Sequence, residues 1–176
     1  DRILISSIIT LTETDTINKS VTITSTAPGI SFELNGDLYV EAIAGLEIRI
    51  IGLSLNGKIT ALAGTATELN RCNLFIIDSK IIYGDVVCDV PGLNLNFLYS
   101  DIADGAIKFR FGKLIGNEIG SFHIVQGDGT NYNDTTHIIA NKINSSEYIA
   151  LGGQSLLNSI NNSDHYFFIA NNFFKW

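Results

Sequence analysis

Three polar residues, each directly after a short apolar strand, are the first candidates for chemistry in this sequence. Asp78, Asp101 and Gln126 occupy the same place in successive repeats of the apolar pattern. Carboxylates stacked at one repeat spacing could hold Ca²⁺, or could act as acid and base in sugar hydrolysis, where a retaining mechanism needs a separation of roughly 5 Å. We favour a structural role instead, which we call a turn ladder. At these positions the alternation of the strand points the side chains inward, and a polar side chain there hydrogen-bonds to the backbone of the turn and stacks on its neighbour.

A second group of oxygen ligands lies in the segment 126–134, which reads QGDGTNYND. Asp128 and Asp134 could bind a hard cation and Tyr132 could stack on a sugar ring, but the spacing does not match an EF-hand loop. A solvated loop between strands is the favoured interpretation. No cofactor is therefore assigned, and Ca²⁺ is kept as an option. The weak metal candidates are Asp78, Asp101, Asp128 and Asp134.

Histidines and nucleophiles do not form a recognisable catalytic set. His123, His137 and His165 lie far apart in the repeat plan, and no Ser or Cys has a neighbouring acid and His at a known spacing. No catalytic residue is therefore assigned. A polysaccharide lyase or glycoside hydrolase acting on an acidic polysaccharide is kept as the alternative function, and its candidate residues are Asp78, Asp101 and Asp104.

The elements that must position these residues are short apolar strands that recur about every 25 residues, the signature of a solenoid. Within each strand apolar and polar residues alternate at a period of two, and the inward positions keep their register between repeats. The pattern predicts an all-β parallel β-helix of about six coils, with like side chains stacked in its core. The main strands are 21–26, 46–52, 72–78, 95–101 and 120–126, and their predicted inward column is Ile23, Ile48, Leu74, Phe97 and Phe122.

On this ladder the chain resembles the right-handed parallel β-helix of the pectate-lyase-like superfamily, over residues 19–176. The resemblance implies a single-stranded right-handed solenoid. Residues 1–18 mix an apolar run with a segment rich in Thr, Glu and Asp, which predicts an N-terminal cap or leading strand. That superfamily includes polysaccharide lyases, polygalacturonases, phage tailspikes and secreted adhesins. Because an Asp cluster with a nearby His is not visible here, the chain is closer to the tailspike- and adhesin-type structural modules than to the enzymes.

Five apolar residues point outward on the main strands and form a continuous strip. A single exposed apolar side chain needs no explanation, whereas a strip of this kind needs cover. We favour a protein interface, with cover by the chain itself and glycan binding as the alternatives. The predicted interface residues are Ile51, Phe75, Ile77, Leu98 and Val125.

The same outward face supplies the candidates for contact with a glycan. Glu47, Arg49 and His123 are predicted to lie beside Asn73 and Asn96 on the main ladder. Together with the loop tyrosine they make up the predicted glycan contacts, which are Glu47, Arg49, His123 and Tyr132.

Composition limits the class of partner. The 176 residues are 45% apolar and 16% charged, and the net charge of −7 leaves no basic stripe to follow phosphates. No apolar run is long enough to cross a bilayer. Cys72 and Cys88 are predicted as buried free thiols, with a disulfide across one coil as the alternative. The start at Asp1 and the lack of Met suggest a processed or excerpted chain.

Together these features predict a non-enzymatic structural or adhesive module, such as a surface filament, an adhesin or a phage tail component. The expected location is extracellular, at the cell surface or in a virion. The expected partners are other copies of the chain or other domains of a larger assembly, with surface glycans as further candidates. Nucleic acid binding and membrane insertion are not expected.

Overall fold

The computed structural model describes residues 1–11, 16–26, 32–124, 134–143, 149–151 and 165–174. It is an all-β parallel solenoid of about six turns of about 21 residues, built from three parallel sheets, and no helix occurs in the described residues. The predicted fold class is confirmed. The repeat is shorter than the predicted 25 residues, and the strands of each coil are distributed over the three sheets.

The first sheet contains eight strands, which are numbered in chain order through the whole molecule. Every adjacent pair in it is parallel, because each strand is followed by two others before the chain returns to this sheet. The strands are β1 (Arg2–Ile5), β4 (Val21–Ser25), β7 (Glu47–Ile51), β10 (Cys72–Ile77), β13 (Leu93–Leu98), β16 (Phe111–Ile115), β19 (Asp134–Ile139) and β22 (His165–Ala170).

The other two sheets follow the same order along the solenoid. The second sheet consists of β2 (Ile9–Thr10), β5 (Phe32–Asn35), β8 (Leu53–Asn56), β11 (Lys80–Tyr83), β14 (Asp101–Ile102), β17 (Glu118–Ile119), β20 (Lys142–Ile143) and β23 (Phe173–Phe174). The third sheet consists of β3 (Thr16–Ile17), β6 (Leu38–Glu41), β9 (Ile59–Leu62), β12 (Val86–Cys88), β15 (Ala106–Phe109), β18 (Ser121–Ile124) and β21 (Ile149–Leu151).

The N-terminal residues contribute strands to all three sheets. Arg2–Ile5 pairs in parallel with Val21–Ser25, and β2 and β3 pair with β5 and β6 in the same way. Whether residues 1–18 form a separate cap stays a prediction.

A polar ladder occupies the first corner, where the chain passes from the first sheet to the second. A residue with positive φ comes first, such as Asp78 (φ 48°) or Tyr99 (φ 51°), and a buried Ser or Asn follows it. The oxygen of each buried side chain accepts the backbone N–H of the coil before, for example Asn141 Oδ1 from Asn117 N at 3.0 Å. These bonds satisfy turn backbone that water cannot reach. The ladder residues are the buried Ser79, Ser100, Asn117 and Asn141 and the half-buried Asn172.

The predicted turn ladder is therefore wrong for Asp78 and Asp101. Asp78 lies one residue before the ladder, and its structural counterpart in the next coil is Tyr99. Asp101 belongs to β14 in the second sheet, where it pairs with Lys80. Gln126 lies outside the described residues.

Stacked glycines form the second corner, between the second and third sheets. A Cβ added at Gly57 would lie 2.1 Å from the carbonyl oxygen of Gly36, and one at Gly105 would lie 2.2 Å from that of Gly84. At Gly57, Gly84 and Gly105 the backbones of successive coils therefore approach too closely for any side chain. The stack consists of Gly36, Gly57, Gly84, Gly105 and Gly120.

The third corner, which leads to the first strand of the next coil, varies in length. Its described connections range from the single residue Arg110 to the nine residues 63–71. This variation changes the repeat spacing, since Cys72 pairs with Leu93 at 21 residues but Asn94 pairs with Phe111 at only 17. The long connections explain why the sequence pattern suggested a longer repeat.

The core is the stack of inward side chains. The pairing between neighbouring strands differs in part from the predicted inward column. Leu74 lies opposite Ile48 as predicted, whereas Phe97 lies opposite Ile76. Ile23 similarly pairs with Ile50. A slip of two residues leaves Ile23 and Phe97 on their predicted inward face, because the strand period is two.

Two further assignments concern single positions. Phe122 belongs to β18 in the third sheet, so the prediction that 120–126 continues the main ladder is wrong. Cys72 and Cys88 are buried free cysteines, as the favoured interpretation had them.

Candidate functional site

The outer face of the first sheet carries a row of aliphatic side chains that runs across five strands. Ile51, Ile77 and Leu98 are direct neighbours in the register, and Ile115 and Ile139 continue the same row. All five are half-buried. We call this set, Ile51, Ile77, Leu98, Ile115 and Ile139, the aliphatic row.

The structure thus places three of the five predicted interface residues side by side. Phe75 lies in the adjacent row, and the Arg49 guanidinium lies 5.2 Å from the centre of its ring. Val125 lies outside the described residues. Sequence reasoning missed Ile115 and Ile139, because the ladder was continued through 120–126 and not through 111–115 and 134–139.

Part of this outer face is covered by the chain itself. Phe111 has outward parity but is only 4% exposed, because the Arg71 guanidinium lies 4.1 Å from its ring centre. Arg71 comes from the 63–71 connection, where its Nε donates to the Glu68 carbonyl at 2.9 Å. Asn96 is also 4% exposed on this face. The cover stops short of the aliphatic row, whose side chains keep partial exposure.

The predicted glycan contacts do not form one cluster among the described residues. Glu47 and Arg49 make an exposed ion pair at 2.7 Å on β7. His123 lies on β18, opposite Lys108 in the third sheet, so its predicted place on the main ladder is wrong. Tyr132 lies outside the described residues.

The acidic candidates are also dispersed. Asp78 is at the first corner, while Asp104 is at the second, where its carbonyl accepts the N–H of Gly84 at 3.1 Å. Asp134 begins β19, and Asp128 lies outside the described residues. In the part of the chain that the structure describes, no three His, Cys, Asp or Glu side chains are grouped so that they could hold a metal ion.

Asp101 does contribute to a groove on the outer face of the second sheet. The groove has a volume of about 320 Å³, with Ala103 and Gly120 among its small lining residues and Lys80, Asp101 and Glu118 as its charged ones. Glu118 pairs directly with Asp101 across neighbouring strands, and its N–H donates to Asp101 Oδ1 at 3.2 Å. Sequence reasoning missed Glu118, because β17 has only two residues and follows a short coil.

Charge in this groove is balanced rather than concentrated. Lys142 binds Glu118 Oε1 through its Nζ at 2.7 Å, and Lys80 lies beside Asp101 in the register. Two cations thus flank two carboxylates along one row of the sheet. This arrangement lowers the attraction for a bare cation and gives no excess of positive charge for an acidic polymer.

The thiols of Cys72 and Cys88 are weak nucleophiles in the folded state. Burial raises the pKa of Cys88, and the nearby Asp89 and Cys72 raise it further. Burial also raises the pKa of Cys72, against a smaller lowering by a backbone hydrogen bond from Ile43. Both groups therefore stay protonated at neutral pH, and a thiol is a poor nucleophile.

Comparisons with protein-family models, with curated proteins and with solved structures found no match to this chain. Among the described residues, none belongs to a helix with the length and hydropathy needed to span a bilayer.

Proposed function

We propose that the chain is a non-enzymatic structural or adhesive module of a surface filament, adhesin or virion, and that it assembles through the outer face of its first sheet. The observation that carries this proposal is the aliphatic row. Side chains of this kind, repeated on five consecutive strands, form a larger apolar patch than scattered surface residues do. We take a second copy of the chain as the occupant of this face.

The size of the face supports a contact between copies. Eight strands at about 4.8 Å spacing give a length of about 34 Å, and strands of five residues give a width of about 16 Å. Two such faces in contact would bury at most on the order of 1,100 Å², since Arg71 already covers part of each face, and this upper bound is close to the roughly 1,000 Å² expected of a specific interface.

Charge also permits this contact. The outward positions of the first sheet with described side chains carry three basic residues and one acidic residue, in a chain with a net charge of −7. The acidic excess therefore lies on other surfaces, where it keeps copies apart. The charged residues of this face are Arg2, Glu47, Arg49 and Lys113.

The finer assignment to the pectate-lyase-like superfamily belongs to the same proposal. A connection between parallel strands of one sheet is right-handed in nearly all proteins, which supports right-handed winding. An extracellular or virion location is likewise inferred from the resemblance to tailspike- and adhesin-type modules.

The groove on the second sheet supports an alternative function, a glycoside hydrolase or polysaccharide lyase. Asp101 and Glu118 are carboxylates on adjacent strands whose backbones are about 4.8 Å apart, a spacing that allows the two carboxyl groups to reach the roughly 5 Å separation that retaining hydrolysis uses. If this alternative holds, reducing ends or unsaturated sugars appear with acidic polysaccharides, and Asp101→Asn and Glu118→Gln abolish them. Unchanged turnover in both variants would eliminate the groove as an active site.

The primary proposal is tested by light scattering combined with small-angle X-ray scattering. We expect a mass above 19.2 kDa that rises with concentration. Ile77→Asp and Phe75→Asp should each weaken association at least about tenfold, because an unpaired carboxylate in a contact costs more than about 1.4 kcal/mol.

The matched control is Thr60→Asp, at a half-buried outward position of β9 in the third sheet. It should leave association unchanged. Equal behaviour of wild type, Ile77→Asp and Thr60→Asp, with all three folded, would contradict an interface at the aliphatic row.

A further inference from the structure

Tyr99 combines a large exposed side chain with a strained backbone at the first corner. Its φ of 51° lies in the left-handed region, which an L-residue with a bulky side chain adopts only at an energetic cost. Tyr99 is 66% exposed, so burial in the core does not offset this cost. A backbone outlier of this kind is typical of functional sites.

The same corner position in the other described coils is occupied by residues that tolerate this conformation or add little surface. Glycine occupies it twice, and aspartate and asparagine, which enter the left-handed region more readily than other side chains, occupy it once each. Ala140 shares the strain but presents only a methyl group. In chain order, the described members of this column are Gly52, Asp78, Tyr99, Gly116, Ala140 and Asn171.

The ring of Tyr99 is held at the edge of the aliphatic row. A Cβ added at Gly116 would lie 2.7 Å from Tyr99 Cδ1 and 2.9 Å from its Cε1, so the ring lies against the Gly116 backbone. Tyr99 directly follows Leu98 of the aliphatic row, and Gly116 directly follows the residue that pairs with Leu98. The ring therefore extends the apolar surface of the row onto the first corner.

This ring adds area to the contact proposed for the first sheet. A tyrosine buries about 150–250 Å² when it is fully covered, and at 66% exposure Tyr99 keeps on the order of 100 Å² or more of this for a partner. In a symmetric pair each copy contributes its own tyrosine, which adds on the order of 200 Å² to the contact. This gain works against the loss of area under Arg71, so a face that includes Tyr99 reaches the roughly 1,000 Å² of a specific interface more readily than the row alone.

We infer that Tyr99 is a hot spot of the contact between two copies of this chain, and that its exposed ring packs against the first sheet of the second copy. The inference rests on the proposed function and names a residue that dominates the same contact. Tyrosine is enriched among such residues because it offers a large, rigid ring with few rotatable bonds. The strain at Tyr99 is then stability given up to keep an aromatic ring at the edge of the interface.

The test separates this role from a structural one. In Tyr99→Asn the left-handed conformation is tolerated, so the urea midpoint should stay the same or rise. The dissociation constant, measured by light scattering over a concentration series, should rise at least about tenfold because the ring is lost. Tyr99→Phe keeps the ring and should associate like wild type. Circular dichroism checks that every variant is folded.

Two matched controls belong to the same experiment. Tyr83→Asn removes a tyrosine of similar exposure, 60%, from the end of β11 in the second sheet and should leave association unchanged. Gly116→Ala and Gly52→Ala add the same methyl group at nearly the same φ, 70° and 66°, but only the methyl at 116 meets the Tyr99 ring. Gly116→Ala should therefore weaken association by displacing the ring, and Gly52→Ala should not.

A Tyr99→Asn protein that associates like wild type would overturn the inference, and so would an equal loss of association in Tyr83→Asn. Equal association of Gly116→Ala and Gly52→Ala would count against it as well. If Ile77→Asp weakens association and Tyr99→Asn does not, the aliphatic row survives and only this inference fails. A wild-type protein that stays at 19.2 kDa at every concentration would contradict the proposed function and this inference together.

Discussion

Two glycines with different roles give a direct test of how closely the coils stack. Gly57 has an ordinary φ, but a Cβ there would lie 2.1 Å from the Gly36 oxygen and 2.5 Å from its carbon. Gly52 has the opposite constraints, with a φ of +66° and nothing within 4 Å of an added Cβ. Alanine at Gly57 therefore meets a steric clash, whereas alanine at Gly52 meets backbone strain alone.

The expected costs follow from these two mechanisms. Gly52→Ala should lower the free energy of unfolding by about 1–2 kcal/mol, the cost of a left-handed conformation for an L-residue. Gly57→Ala should lower it by about 3 kcal/mol or more, because the clash is with the backbone carbonyl group of Gly36, which cannot turn aside as a flexible side chain can. Neighbouring coils would have to separate locally to admit the methyl group.

Urea unfolding followed by circular dichroism measures both changes, with the slope against urea compared between variants. Gly52→Asn serves as a further control, since asparagine tolerates this conformation and stands at the equivalent position as Asn171. A cost at Gly57 equal to or below the cost at Gly52 would refute the close approach at the second corner.

Three further predictions concern the ladder, the thiols and the third corner. Asn141→Ala should lower the free energy of unfolding by about 3–5 kcal/mol in the same assay, because it leaves buried donors and acceptors of two coils unpaired. A loss under about 1 kcal/mol would contradict the polar ladder. The pKa of Cys88 is higher in the folded than in the unfolded state, so the stability that this thiol contributes is complete below its unfolded pKa and is lost as pH rises past about 9. The urea midpoint should therefore fall above about pH 9. The same fall in a Cys72→Ala/Cys88→Ala protein would contradict this explanation. Arg71→Ala should raise the sensitivity of the 63–71 connection to proteolysis, because it removes the contact with Phe111, and an unchanged cleavage rate would count against that contact.

Much of the fold could be predicted because strand patterning is local. Alternation in segments such as Cys72–Ile77 is visible without any neighbour, and Ile23, Ile48, Leu74 and Phe97 were correctly assigned to the inward face. The pairing partner was harder to predict. A strand such as 121–124 has the same pattern in any sheet, and only the length of the corner before it decides which sheet it joins.

The candidate site was predicted in part for the same reason. Ile51, Ile77 and Leu98 were grouped because their strands were identified, and whether they form an interface stays a prediction. Ile115 and Glu118 were missed because the coil that holds them returns after 17 residues, which an average repeat does not anticipate.

The sequence by itself determined that this chain forms parallel coils with a β-branched and aliphatic core, since strand period and turn residues are properties of short segments. Tertiary structure decided which side chains become neighbours across coils. Asp101 faces Glu118 and not Asp78, and Ser79 rather than Asp78 joins the buried ladder. These contacts depend on register between segments about 21 residues apart, and corner lengths and backbone packing set that register.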